Sequence, residues 1–189
     1  MKYQEFLHNC VQDLSLIPET VQEEFSYLSE KQLNWQPNPK SWSILECLYH
    51  LIVSDATYDE VFKKILNKYP KNSVNKEVKF SWLGKWLINS INPQNVNKLS
   101  APKKFQIPKP SNLSKEDVLK NYLERVEILK NYFLDFQGLD LNTIYLSSPA
   151  LWILRYNLSA CIQILTYHHL RHNLQAMKVK QNTKFPYEL

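Results

Sequence analysis

The chain has 189 residues, 44% of them apolar and 22% charged, which is enough to bury a full core in one domain over residues 1–189. Only two glycines occur, which excludes Gly-rich phosphate loops and argues against a turn-dense all-β chain, because both need positive φ repeatedly. The net charge of +5 rests on Arg125, Arg155, Arg171 and lysines spread along the whole chain, the pattern of solvated surface rather than of a nucleic-acid-binding stripe.

Four segments carry helical periodicity. In the first, residues 3–30, Leu7, Val11, Leu14, Val21, Phe25 and Leu28 form an inward stripe, and Pro18 bends or restarts the helix. Pro37 and Pro39 then force a turn. The second helix, 43–69, opens at Ser43, which is spaced from Glu46 as a capping box; Leu48, Leu51, Ile52, Val61, Phe62 and Ile65 supply its buried face and Pro70 marks its end. Between 70 and 113 the prolines Pro93, Pro102, Pro108 and Pro110 forbid one continuous helix, although SWLGKWLINSI suits a short one. So long a connection reads as a crossover that lets two neighbouring helices run parallel. Ser114 and Asp117 open the third helix, 114–137, which Gly138 stops. After LDLNTIYLSSP the last helix runs over 156–179, with Leu158, Cys161, Ile162, Leu165, Ala176 and Val179 on one face. The sum is an all-α four-helix bundle.

Cys10, Cys47 and Cys161 are widely spaced and form no CxxC pair, the amino-terminal MKYQEFLHNC has no apolar core of a leader, and no apolar run is long enough to span a bilayer. A cytoplasmic protein is expected, with neither membrane nor nucleic acid as partner.

The chemistry is expected at the histidines: His8, His50, His168, His169 and His172. His50 lies among core positions of the second helix. His168 and His172 are four apart and project from one side of the last helix, so two imidazoles reach one ion. The helical wheel places His172 near the centre of the apolar face with His168 and His169 on either side, leaving His168/His172 and His169/His172 both open. Three neutral imidazoles from two helices give a divalent metal most of a tetrahedron and leave a position for water or substrate.

LNWQPNPKSWSILECLYHL and ILTYHHLRHNLQA resemble the second-helix start and last helix of the DinB/YfiT-like superfamily: Trp-Ser-Ile with a His two turns on, and His-x-x-x-His followed by Gln. This resemblance extends over essentially the whole chain. It implies up-down-down-up connectivity with the long crossover between helices 2 and 3, one divalent ion (Zn, Ni, Fe or Mn) per chain on His50, His168 and His172, and a homodimer. Glu46, one turn before His50, is a candidate to orient it in competition with its capping role. Gln175 matches the family's Gln; Arg171 is a candidate to steer an anionic substrate, and His169 is a neighbour of the ligands. The reaction implied first is transfer of a low-molecular-weight thiol to an electrophilic small molecule, with metal-dependent hydrolysis second. A non-catalytic metal-holding scaffold is the third expectation, favoured if Cys47 or Glu46 closes the fourth position.

Overall fold

The computed structural model describes residues 1–72, 76–95, 105, 107, 111–149 and 151–187. Two pieces make the first helix, α1 (Tyr3–Ser15) and α2 (Ile17–Glu24), with the break at Leu16 just before Pro18. A short α3 (Glu30–Leu33) follows, held by a Ser29–Gln32 capping box. The second helix is α4 (Ile44–Ala56) continued after Thr57–Tyr58 by α5 (Asp59–Lys68). The crossover carries α6 (Trp82–Ile91), followed by Pro93; Pro102, Pro108 and Pro110 lie outside the described residues. The third helix is α7 (Lys115–Asp135), capped by Ser114, and the fourth is α8 (Leu158–Lys180). Gly138 takes φ +86° just past α7, and its carbonyl accepts from the backbone N of Asn72 at 2.8 Å, so the ends of two helices are tied together.

Side-chain pairs fix the directions. Cys10 lies beside Thr166 and Glu24 pairs with Lys180, so the first helix and α8 run parallel. His50 faces His168 while the Tyr58 and Tyr156 hydroxyls meet at 2.8 Å, so α4 and α8 are antiparallel. Asp59 pairs with Arg125 and Phe62 packs on Tyr132 and Phe136, so the second helix and α7 run parallel. Tyr3 meets Asp140 beyond the end of α7, whereas Lys115 at its start reaches the carbonyls of Ser26 and Leu28. The order is up-down-down-up, and the parallel second and third helices need the long return that the crossover provides.

The core fills the space between the helices with Phe6, Leu14, Phe25, Leu48, Leu51, Phe62, Tyr122, Phe133, Phe136 and Leu165, each at most 2% exposed. Burial of such side chains contributes about 1.5–3 kcal/mol each. One element was not expected: β1 (Tyr145–Ser147) and β2 (Arg155–Asn157) form an antiparallel hairpin directly before α8. No helix among the described residues is long and apolar enough to cross a membrane.

Helix α6 lies on the start of α8 through Gly84, where an added Cβ would stand 2.4 Å from the Cβ of Ala160. Gly84→Ala is expected to push the two helices apart and cost about 1–3 kcal/mol. Thermal denaturation checks this, and the added change Ala160→Gly should recover part of the loss.

Candidate metal centre

The start of α4 is built before its histidine is placed. Ser43 Oγ accepts from the Glu46 backbone N at 3.1 Å, and Glu46 Oε2 accepts from the Ser43 N at 2.9 Å, the two halves of a capping box. Glu46 is fully buried, and it also accepts from Gln36 Nε2 at 2.7 Å and from the Ser111 hydroxyl. These bonds give Glu46 the capping role. His50, one turn on, finds its acceptor elsewhere: its Nδ1 donates to the Phe105 carbonyl at 3.1 Å. A carbonyl only accepts, so Nδ1 carries the hydrogen of the neutral ring and Nε2 presents its lone pair.

That lone pair faces α8. His50 Nε2 and His168 Nε2 are 3.2 Å apart, and the ring centroids of His50 and His168, His50 and His172, and His168 and His172 are separated by 5.1, 4.8 and 4.7 Å. One ligand nitrogen from each ring lies within 4.8 Å of the others, and among the described residues no Cys, Asp or Glu joins the group. Trp42, just before the cap, stacks on His172 (5.4 Å, 22°) and leans on His50 (4.8 Å), walling one side of the cluster.

Burial drives the electrostatics. It holds His50 below the ordinary imidazole value and His168 well below it, with His172 and His50 adding to the effect on His168. His172 is pushed down to about 3, by burial first and then by His50. All three rings are therefore neutral near pH 7, the form in which imidazole binds a metal. The fit is also geometric. Tetrahedral bonds of about 2.0–2.1 Å place ligand nitrogens roughly 3.3 Å apart, close to the 3.2 Å seen between His50 and His168. Among the described residues the Nδ1 of His172 is buried with no hydrogen-bond partner. The structure thus brings together the three histidines predicted as ligands.

The other candidates are placed differently. Gln175 lies against His172 and favours its charged form. The Arg171 Nη1 donates to the carbonyls of Asn92 and Asn95 at 3.2 and 3.0 Å, bracing the segment after α6, and its charge adds to the forces that keep His172 neutral. His169 is fully buried on another side of α8, where its Nε2 meets Asp55 Oδ2 at 2.5 Å. Cys47 and Cys161 are buried, and burial raises the Cys161 thiol far above its usual range. Trp82 and Trp86 are exposed on α6. Sequence reasoning missed the Phe105 carbonyl, which no residue type signals, and the Trp42 wall, whose place beside the Ser43 cap was its only signal.

The sequence profile of the DinB superfamily matches residues 14–176. The chain belongs to the DinB superfamily. Among solved structures this DinB-superfamily chain is similar to YfiT from Bacillus subtilis, described as "a probable metal-dependent hydrolase with an unusual four-helix bundle topology". That match has a TM-score of 0.57 at 12% identity and covers 93% of this chain and 86% of YfiT, a likeness of fold. No curated protein matches.

The metal-free protein carries a pH signature of this burial. The folded His172 takes its proton near pH 3 while the unfolded ring takes one near 6.5, so the unfolded state binds more protons between these values and stability falls as pH falls through the window. His50 and His168 act in the same direction. Chelator-treated wild type is expected to lose thermal midpoint progressively from about pH 6.5 towards pH 3, and His172→Ala to flatten that slope; melts across pH check both.

Proposed function

We propose that the chain is a divalent-metal-dependent enzyme whose ion is held by His50, His168 and His172, and that its reaction is hydrolysis of a small molecule. The observation that carries this reading is the convergence of three neutral imidazoles without a fourth protein ligand among the described residues. A divalent ion on three imidazoles supplies Lewis acidity and lowers the pKa of a water or thiol that shares its coordination sphere.

The protein's own groups do the rest. Phe105 holds His50 in the tautomer that presents Nε2. Trp42 fixes the His172 ring plane and shields one side from bulk water, which strengthens electrostatic interactions inside the site. Cys47 and Glu46 are absent from the cluster, and the Glu46 carboxylate is engaged at the helix cap, which supports an open rather than a closed coordination sphere. Water rather than a low-molecular-weight thiol is the attacking group in this reading. The description of YfiT as a probable metal-dependent hydrolase supports the same choice.

The test begins with elemental analysis of protein purified without chelator and reconstituted with Zn, Ni, Fe or Mn. Wild type should retain about one ion per chain, and His50→Ala, His168→Ala and His172→Ala should each lose it on desalting. The loaded wild type should then cleave activated esters or amides without added thiol. Turnover of electrophiles only when a thiol is supplied would reassign the reaction to thiol transfer, and undiminished metal uptake by the three variants would overturn the site.

A further inference from the structure

The crossover and the chain beyond α7 share a property that overall composition hides. Lysines are spread along the chain, but the acids are not: residues 78–115 and 141–187 hold twelve lysines and arginines and no aspartate or glutamate. These two stretches supply α6, the β1–β2 hairpin and α8, and the three exposed tryptophans among the described residues all stand in them.

On α6, Gly84 faces Ala160 and Tyr156 and Ile88 is buried, so Trp82, Lys85 and Trp86 take the outer face, with Trp82 82% exposed. The hairpin is tied to the start of this helix, where the Ser81 N donates to Asn157 Oδ1 at 3.0 Å. Its tip is a closed turn, in which the Leu154 N donates to the Leu151 carbonyl at 2.9 Å. That turn holds Leu151, Trp152 and Ile153 out together, with Trp152 77% exposed. Lys79, just before α6, and Arg155, on β2, are exposed as well. Among the described residues neither they nor Lys85 has an acidic partner. A single exposed apolar residue is ordinary, but five on two elements tied together and flanked by unpaired cations mark a surface for a partner.

We infer that the outer face of α6 and the tip of the hairpin rest on an anionic lipid surface. The cations meet the headgroups, and the tryptophans, apolar rings that carry an N–H, sit at the interface. Leu151 and Ile153 enter the boundary with the acyl chains. No run in the sequence is long enough to span a bilayer, and lying on one requires none. Two other occupants fit less well. A second copy seated face to face would set Lys79, Lys85 and Arg155 against the same three charges. A single-stranded nucleic acid would stack on the tryptophans and pair with the cations, yet it leaves Leu151 and Ile153 without a role. None of these residues is a candidate metal ligand, so the surface stands or falls apart from the three-histidine site.

The experiment sediments the full-length protein with vesicles of phosphatidylcholine alone and of phosphatidylcholine mixed with phosphatidylserine, and follows tryptophan emission on mixing. Wild type is expected to sediment with the mixed vesicles far more than with the neutral ones, to shift its emission to the blue, and to be released as salt is raised. The pair Trp82→Ala and Trp86→Ala, and separately Trp152→Ser, should weaken binding about tenfold or more. Lys85→Ala and Arg155→Ala should weaken it about fivefold apiece. All five side chains are exposed, so thermal midpoints should stay at the wild-type value. Leu16→Ala, an exposed apolar change at the break between α1 and α2, should leave vesicle binding unchanged. Equal sedimentation of wild type and the tryptophan variants, or no sedimentation with either vesicle, overturns the inference. So does a wild-type dimer that the tryptophan variants dissolve, which assigns the face to a second copy. Binding of a single-stranded oligonucleotide that displaces the mixed vesicles overturns it in favour of nucleic acid.

Discussion

The carboxylate of Glu46 is where the site's construction begins. Fully buried, it accepts from the Ser43 backbone, from Gln36 and from Ser111, so three stretches of chain meet at the first turn of α4. A helix whose first turn is fixed in this way has a fixed rotation about its axis, which decides where the residue one turn later points. His50 is that residue. The segment that supplies Ser111 to Glu46 also supplies the Phe105 carbonyl to His50, so the crossover required by two parallel helices is pinned to α4 twice. Connectivity and ligand orientation are thus one problem with one solution.

The opposite wall depends on α8, whose residues divide by face. His168 and His172 turn towards α4 and Trp42, His169 and Asn173 turn into the core with Asp55 and Tyr122, and Arg171 reaches back to the end of α6. Five of the six residues 168–173 are polar, and His168, His169, Arg171 and Asn173 bond to α4, to α7 or to the segment after α6. Each bond restricts rotation of the helix, so the rings that face α4 are held by the residues that do not.

Much of this was legible in the sequence. Hydrophobic spacing gave the four long helices, Pro18 the first break, and Ser43 with Glu46 the cap, because each is a local signal read within a few residues. Spacing left His168/His172 and His169/His172 both open, and it was the resemblance to the superfamily that implied His50 with His168 and His172. What stayed hidden depended on distant partners. The strands Tyr145–Ser147 and Arg155–Asn157 pair beside Asn157, which also bonds the Lys79 carbonyl and the Ser81 backbone across the crossover. His169 competes with His168 on a helical wheel, and only Asp55 on α4 and Tyr122 on α7 decide between them. Arg171 donates to two carbonyls nearly 80 positions earlier, which no local pattern signals.

The separation of these partners along the chain has a consequence for synthesis. His50 meets His168 across 118 positions, Asp55 meets His169 across 114, and Gln32 holds the carbonyl of Pro186 across 154. Until α8 emerges from the ribosome, the first two helices have buried faces without a cover and polar groups without acceptors. The nascent chain must therefore wait, with its apolar stripes exposed, for a histidine made 118 positions after His50.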